Sequence, residues 1–234
     1  LIISTALWKF QDLVNCVMEL ELLRHLQSFL TPRRRTLFDR VLGERTRWLT
    51  VVTEDVYQIH NTSAVMRSCD VFGIQDLHVI EKRFGKRVDK EIAMGAQKWV
   101  DIHRHNDAQG CIKTLRNQGY QIVATSPRDG EPLSTFDLRQ KSALVFGTEK
   151  NGISPELMQE ADRTLTIPMH GFTESLNISV SAAIILNDLV SKLRIAAVDW
   201  NLSEQEKYAI ECRWTMASIR DAAGIIERFK SKSK

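Results

Sequence analysis

The sequence predicts an α/β fold in which a mostly parallel, six-stranded sheet is covered by helices on both faces. Short runs rich in β-branched and apolar residues alternate with stretches of helical spacing between residues 48 and 194. This alternation is typical of a parallel sheet. Helical patterns without strands flank the region on both sides. The chain has 234 residues, 43% of them hydrophobic, which suffices for a complete core.

The elements of the central region follow from these patterns in chain order. Strands are predicted at about 48–53, 77–80, 99–103, 120–125, 143–147 and 164–168. Helices are predicted at about 61–72, 88–96, 106–118, 154–161 and 179–194. Because helices separate most of the strands, consecutive strands can run parallel.

Helical segments are also predicted at both ends. Apolar residues recur at helical spacing in residues 1–30, and Thr31 with Pro32 marks a break at which a second, short helix begins. Near the C-terminus, Ser203 and Glu206 form a capping box for a helix whose apolar spacing continues to Ala222. We therefore expect an N-terminal helical extension, a core and a C-terminal helical extension at residues 1–47, 48–194 and 195–234.

Composition argues against several protein classes. No apolar run approaches the roughly 18–20 residues of a membrane span, and the first residues do not resemble a signal peptide, so we expect a cytoplasmic protein. The four cysteines are scattered without a C-x-x-C, which argues against a disulfide framework. His103 and His105 alternate at a strand end, but the sequence places no third ligand near them, so we expect no metal site.

Basic residues concentrate in two segments, although the net charge is only +3. Residues 31–47 carry six arginines against two acidic residues, and residues 81–90 carry five basic residues against two. Such clusters favour a phosphate-bearing partner, with solvated surface as the alternative. In the first segment, the residues assigned to phosphate contact are Arg33, Arg34, Arg35 and Arg40, with Arg45 and Arg47 continuing the charge toward the first strand.

The first motif lies in residues 60–74, HNTSAVMRSCDVFGI. Asn61, Ala64 and Arg67 are spaced i, i+3 and i+6, so they fall on one side of the predicted helix. Asn61 or Thr62 can cap that helix. The side therefore offers an amide together with a guanidinium, and the alternative interpretation is a cap with an exposed arginine.

The second motif lies in residues 143–154, ALVFGTEKNGIS. An apolar strand ends at Gly147, and a loop bracketed by Gly147 and Gly152 leads to the helix cap Ser154. The glycine spacing fits a P-loop, but Ile153 and Ser154 replace its Lys and Ser/Thr, which argues against triphosphate binding. No G-x-G-x-x-G follows any strand, so the usual dinucleotide fingerprint is missing.

The third motif lies in residues 167–186, IPMHGFTESLNISVSAAIIL. A polar loop containing Glu174, Ser175 and Asn177 joins the last predicted strand to an apolar helix. It is longer than the two to six residues that such a connection usually needs. Open α/β sheets hold ligands at the carboxyl ends of their strands. The loop therefore indicates a ligand site, with a long turn as the alternative.

Together and in this order, the three motifs closely resemble those of the SpoU-type, or TrmH-like, ribose 2′-O-methyltransferases of the SPOUT superfamily. The resemblance covers about residues 36–194, and the third motif is its most specific part. It implies a deep trefoil knot in the C-terminal half of the sheet, S-adenosylmethionine as the cofactor, and a homodimer paired across the knot. It also implies methyl transfer to a ribose 2′-hydroxyl of RNA.

The resemblance also implies roles for individual residues by matching position. The residues implied as cofactor contacts are Thr125, Gly147, Ile167, Met169 and Leu176. Those implied as catalytic or site-organising are Asn61, Arg67, Glu149, Ser175 and Asn177. The family view gives proton removal to Arg67, but a guanidinium is ordinarily never deprotonated. The alternative is that Arg67 clamps a phosphate and stabilises the developing oxyanion.

The predicted helices at both ends favour tRNA as the substrate. Within the family, the enzymes that act on tRNA guanosine flank the knot with short helices, whereas many relatives that act on ribosomal RNA carry a separate N-terminal domain. The resemblance therefore implies a guanosine in the D-loop of tRNA, with the N-terminal arginines as RNA contacts. A ribosomal RNA methyltransferase and a catalytically silent RNA-binding knot protein remain the alternatives. The presence of Arg67 and Asn177 argues against the silent form.

Overall fold

A computed structural model describes residues 20–56, 59–81, 95–148 and 151–232. The chain divides into two compact units. One is Arg45–Asn201, and the other combines Leu1–Glu44 with Leu202–Lys234. The two terminal extensions, which the sequence presents as separate segments, thus belong to one unit. Most of the predicted helix at 88–96 lies outside the described residues, as do the basic segment 82–90 and most of the predicted helix in residues 1–30.

The larger unit alternates strands and helices as predicted. Its strands are β1 Leu49–Glu54, β2 Asp76–Ile80, β3 Asp101–His105, β4 Gln121–Ser126, β5 Glu131–Pro132, β6 Ser142–Phe146 and β7 Arg163–Thr166. The described helices of the unit, numbered after α1 and α2 of the smaller unit, are α3 Ile59–Val71, α4 Ala108–Asn117, α5 Pro155–Gln159 and α6 Ile178–Ile195.

These strands form one parallel sheet in the order β3-β2-β1-β6-β4-β7-β5. The α/β class and the parallel sheet are confirmed, but the expected six strands are one too few. The additional strand, β5, has only two residues and pairs with β7 at the sheet edge. A pattern of alternating residues cannot be recognised over so short a segment.

β3 begins two residues later than predicted. The backbone N–H groups of Trp99 and Val100 both donate to the Ala96 carbonyl, at 2.9 and 3.1 Å. These bonds continue a short 3₁₀ helix at Ala96–Lys98, so Trp99 and Val100 cannot enter the ladder.

Apolar side chains fill both faces of the sheet. On one face, Val51 of β1 lies in a buried cluster with α3 and α6. On the other face, the neighbouring Val52 lies in a cluster with α4 and α5. Successive residues of a strand point to opposite faces, so a strand that is buried throughout contributes to both cores. Because both faces of the sheet are covered, the loops at the strand ends are the places where a ligand site can form.

The smaller unit is helical where it is described. It contains α1 Leu20–Gln27, α2 Pro32–Leu42, α7 Glu204–Ser218 and α8 Ala222–Lys232. The break at Thr31 is confirmed: its hydroxyl oxygen accepts a hydrogen bond from the Arg34 N–H at 3.3 Å and caps α2. The capping box of Ser203 and Glu206 at the start of α7 is also confirmed.

The single helix expected to continue to Ala222 is two helices. Ile219 adopts an extended conformation, φ −106° and ψ 129°, and ends α7. Asp221 then starts α8, since its carboxylate accepts a hydrogen bond from the Gly224 N–H at 3.2 Å. Apolar spacing alone did not reveal this second cap. Within the described part of the chain, no helix combines the length and apolar character needed to cross a membrane.

The expectation that Arg45 and Arg47 extend a basic surface is wrong. Arg45 is 1% exposed and forms an ion pair with Asp70. Arg47 bonds the carboxylates of Asp76 at 2.7 Å and Asp101 at 3.0 Å. The Arg45 guanidinium is thus a buried cation with a paired charge, as burial requires. Arg47 is partly buried, with 24% of its side chain exposed, and is held by two carboxylates.

Candidate active site

Three loops meet at the carboxyl edge of the sheet. They follow β4, β6 and β7, and β4 pairs with both of the other two strands. Parallel strands end at the same edge, so these loops surround a common cavity of about 470 Å³. That volume lies in the range of small-molecule sites.

All five residues assigned to the cofactor line this cavity. They come from the three loops and the strand ends beside them: Thr125, Gly147, Ile167, Met169 and Leu176. The Thr125 hydroxyl is already engaged, because it donates to the Val145 carbonyl at 2.8 Å. Leu176, by contrast, is 38% exposed and presents apolar surface at the cavity. The lining thus combines apolar side chains with backbone and hydroxyl groups, which suits a ligand of mixed polarity.

The loop after β6 is folded tightly on itself. Thr148 and Gly152 exchange backbone hydrogen bonds of 2.9 Å, and Gly152 has a φ of +68°. Gly147 lies so close to this turn that an added Cβ would come 2.1 Å from the Gly152 carbonyl carbon. The predicted cap at Ser154 is confirmed, since its hydroxyl accepts from the Leu157 N–H at 3.3 Å. Only glycine at position 147 permits this path of the loop.

Asn61 and Asn177, which are 116 residues apart in sequence, are in contact. The Asn177 side-chain amide Nδ2 donates to the side-chain Oδ1 of Asn61 at 3.2 Å. The side-chain Oδ1 of Asn177 accepts from the Ser179 N–H at 2.8 Å and caps α6. Asn61 was considered as a cap of α3, but that helix begins at Ile59, so Asn61 lies within it. The first and third motifs therefore meet through two side-chain amides.

The other predicted catalytic residues are placed differently. Ser175 lines the cavity. Arg67 is exposed on α3 and is not part of the cavity lining. Glu149 lies outside the described residues. The structure thus brings Asn61 and Asn177 into contact, but neither lines the cavity, whereas Ser175 does. Arg67 lies at the surface.

Two of the charged residues that line the cavity, Arg128 and Glu174, were given no role from the sequence. Arg128 and Glu174 form an ion pair of 2.6 Å that joins the loop after β4 to the loop after β7. The hydrogen bond and the charge of Glu174 raise the pKa of Arg128 above its ordinary value. Both residues line the main cavity and an adjoining one of about 390 Å³. Glu174 stands within the third motif, whereas Arg128 follows no recognisable pattern.

Glu54 was also not identified from the sequence. It ends β1, is 7% exposed, and accepts a hydrogen bond from the Ser154 N–H at 2.8 Å. Glu54 thereby ties the end of the second-motif loop to the central strand. Only the fold brings these residues together, because they are 100 positions apart in sequence.

One group of the described residues has the spacing of metal ligands: His78, His105 and Cys111. The sequence pairs His105 with His103 and places no third ligand near them. The structure instead places His105 beside His78 and Cys111, which lie on other elements. This group belongs to β2, β3 and α4, and none of its members lines the cavity.

Comparison with known proteins identifies the family. The profile of the SpoU rRNA Methylase family matches residues 48–187, more than half of the chain. The chain belongs to this family. Its larger unit, with the three motif loops at one edge of the sheet, is the part that the profile covers.

Relatives agree over most of the chain. A tRNA (guanosine(18)-2′-O)-methyltransferase of Borreliella burgdorferi is 37% identical over 84% of this chain and 90% of its own. Among solved structures, the Aquifex aeolicus TrmH/SpoU tRNA modifying enzyme matches with a TM-score of 0.72 at 31% identity, over 80% of this chain and 97% of its own.

A third likeness concerns the fold alone. The SpoU methyltransferase AviRb of Streptomyces viridochromogenes, crystallised with AdoMet, has a TM-score of 0.58 at 24% identity. The match covers 67% of this chain and 62% of that one.

Proposed function

We infer that the protein transfers a methyl group from S-adenosylmethionine to a ribose 2′-hydroxyl of tRNA. The observation that carries this inference is the cavity at the carboxyl edge, because all five residues matched to the cofactor motifs line it. Family membership gives the reaction class. Relatives that align over most of their length are named for guanosine 18 of tRNA, so we propose that nucleotide as the target.

We propose that S-adenosylmethionine binds among the three loops. Ile167, Met169 and Leu176 would supply apolar contacts for its adenosine, and Gly147, which has no side chain, would leave its backbone accessible to the cofactor. The cofactor, when bound, supplies a methyl group already activated by its sulfonium. The protein therefore has two remaining tasks: aligning the 2′-hydroxyl with the methyl group and assisting loss of the hydroxyl proton.

We propose that Arg67 performs the electrostatic part of the second task. Arg67 is exposed, so its guanidinium can donate hydrogen bonds to a phosphate or to a developing oxyanion. The hydrogen bond between Asn61 and Asn177 fixes the position of α3, which carries Arg67, relative to the loop that ends at α6. Ser175 then orients the ribose from the cavity wall, and we assign Glu149 to organising the second-motif loop.

We propose that the end of the sheet is threaded as a trefoil knot. The segment between β5 and β6 passes across α6: Leu133 and Phe136 are buried in the same cluster as Leu189. The Lys192 ammonium donates to the Ser134 carbonyl at 3.1 Å. A crystal structure tests this proposal. A chain path in which residues 167–195 are not threaded through the segment between β5 and β6 would contradict it.

We propose that the protein acts as a homodimer that pairs through α6. Val180 and Ile184 are 44% and 40% exposed at i and i+4 on this helix, and Leu176 precedes them. Light scattering at micromolar concentration should give a dimer mass, which Ile184→Glu should lower and the control Ile195→Glu should not. A monomer mass for the unaltered protein would contradict the proposal.

A methylation assay on total tRNA and on ribosomal RNA tests the proposed substrate. We expect incorporation of labelled methyl groups into tRNA and little into ribosomal RNA. Preferential labelling of ribosomal RNA would support the alternative target. No labelling of either RNA, together with intact RNA binding, would support the catalytically silent form.

A further inference from the structure

Two histidines and a cysteine converge on the face of the sheet that α4 covers. His78 lies in β2, His105 in β3, and Cys111 in α4. One ligand atom from each side chain lies within 4.8 Å of those of the other two. His78 Nδ1 and His105 Nε2 share a hydrogen bond of 2.9 Å.

The spacing of these atoms is close to that of a tetrahedral metal site. Zinc bonds to nitrogen at about 2.0–2.1 Å and to sulfur at about 2.3 Å, which places neighbouring ligand atoms roughly 3.3–3.7 Å apart. The two nitrogens are 2.9 Å apart, slightly closer than this range, and all three ligand atoms lie within 4.8 Å of one another. The two imidazoles must therefore separate slightly for one zinc ion to bind between the three groups.

The chemical states of the three groups suit an incoming cation. Burial lowers the pKa of His78 to about 3, and it also lowers the pKa of His105, so both imidazoles are neutral and keep a lone pair. Burial raises the pKa of the Cys111 thiol to about 12, and the negative charges of Glu54 and Asp107 add to this effect. The same carboxylates favour a cation beside the thiol.

We propose that His78, His105 and Cys111 bind one zinc ion that joins β2, β3 and α4. Zinc exchanges bound water molecules for two bonds to nitrogen and one to sulfur. The Cys111 thiol releases its proton to solvent, because only the thiolate binds the metal. The imidazole that donates in the present hydrogen bond moves that proton to its other ring nitrogen. The net result is one proton released for each zinc ion bound.

A fourth nearby residue, His103, provides a matched control. It stacks on His78 with ring centroids 4.6 Å apart, but its Nε2 bonds the Asp76 carboxylate at 2.8 Å. Its Nε2 is therefore engaged by a carboxylate, and His103 is not one of the proposed ligands. Cys212 is a matched control for the cysteine, because it is also buried but belongs to the other compact unit.

Cobalt and zinc titrations of chelator-treated protein test the proposal. We expect one equivalent of Co²⁺ to produce a thiolate-to-cobalt charge-transfer band that Zn²⁺ abolishes, and Zn²⁺ to raise the melting temperature. Cys111→Ser should remove the band, and His105→Gln should weaken metal affinity at least 100-fold. His103→Gln and Cys212→Ser should behave like the unaltered protein.

Several results would overturn the proposal. They are the absence of a charge-transfer band in the unaltered protein, a band that persists in Cys111→Ser, and an affinity that falls as much in His103→Gln as in His105→Gln. If Cys111→Ser fails to fold, His105→Gln still decides the matter, since His105 is only partly buried. Unchanged affinity in that variant would show that the metal binds elsewhere and that the three residues are only a hydrogen-bonded core cluster.

Discussion

The side-chain amide of Asn177 donates to the side-chain carbonyl of Asn61 at 3.2 Å, and this bond links the third motif to the first. Asn177 also caps α6, while Asn61 lies inside α3. One side chain thus fixes both the start of a helix and its contact with another. The position of the loop between β7 and α6 depends on this double role.

A double-mutant cycle measures the link between these residues. Asn61→Ala and Asn177→Ala should each lower the free energy of unfolding by about 1–2 kcal/mol, because each removes a hydrogen bond and the second also removes a cap. The double variant should lose about 1 kcal/mol less than the sum. Asn187→Ala, an exposed position on the same helix, is the control. Strictly additive losses would show that the two amides act independently.

Arg67→Ala should abolish methyl transfer and leave cofactor affinity within several-fold. The reason is that Arg67 is exposed on α3 and is not part of the cavity lining, so it can serve the ribose and phosphate but not the adenosine. Arg67→Lys keeps the charge but loses the planar fork and should recover only part of the rate. Turnover and calorimetric cofactor titrations check this. Near-normal turnover of Arg67→Ala would contradict the assignment of Arg67 to the methyl-transfer step.

Gly147→Ala should abolish cofactor binding. The added Cβ would come 2.1 Å from the Gly152 carbonyl carbon and 2.2 Å from the Ile153 nitrogen, so the second-motif loop must move. Gly43→Ala is the matched control, because its Cβ would meet neighbours no closer than 3.5 Å. Calorimetry with S-adenosylmethionine compares the two variants. Unchanged affinity in Gly147→Ala would mean that the loop does not shape the cofactor site.

Replacing Arg33, Arg34 and Arg35 by Ala should weaken tRNA binding at least tenfold, or about 1.4 kcal/mol. All three are exposed in the first turn of α2. Contacts to phosphates release counterions, so the variant should also show a flatter salt dependence. Binding is measured across a salt series with cofactor titrations alongside.

A charge-matched control distinguishes an effect of this arginine segment on tRNA affinity from an effect of the net charge. Lys113, Arg116 and Arg139 are exposed on the larger unit, and their replacement by Ala removes the same charge. Equal losses of tRNA affinity in both triple variants would show that net charge, and not this segment, determines binding.

His78 should make stability depend on pH. Its pKa is about 3 in the folded protein against an ordinary value of 6.5, so unfolding takes up a proton between these values. Stability therefore rises with pH across this window and levels off above it, with a slope from one group of at most about 1.4 kcal/mol per pH unit. Denaturant unfolding between pH 4.5 and 6.5, with chelator present, should show a smaller slope in His78→Gln than in the control His170→Gln. Equal slopes would contradict this assignment.

The sequence predicted the alternating core because strand and helix periodicity are local properties. It missed β5, which has two residues, and the break at Ile219, where the apolar spacing continues across the interruption. The residues matched to the cofactor line one cavity because they follow neighbouring strand ends. Glu54, Arg128 and the partners of His105 were missed, because each depends on contacts between distant segments. Arg45 was misplaced for the same reason, since its partner Asp70 lies 25 positions away.

The most direct test of the central claim is nucleoside analysis of a tRNA after incubation with the protein and S-adenosylmethionine. Two substrates are compared: an unmodified transcript with guanosine at position 18, and the same transcript with 2′-deoxyguanosine there. We predict one 2′-O-methylguanosine in the digest of the first and none in that of the second, because the second lacks the accepting hydroxyl. Methylation of a base, or equal methylation of both transcripts, would contradict the account.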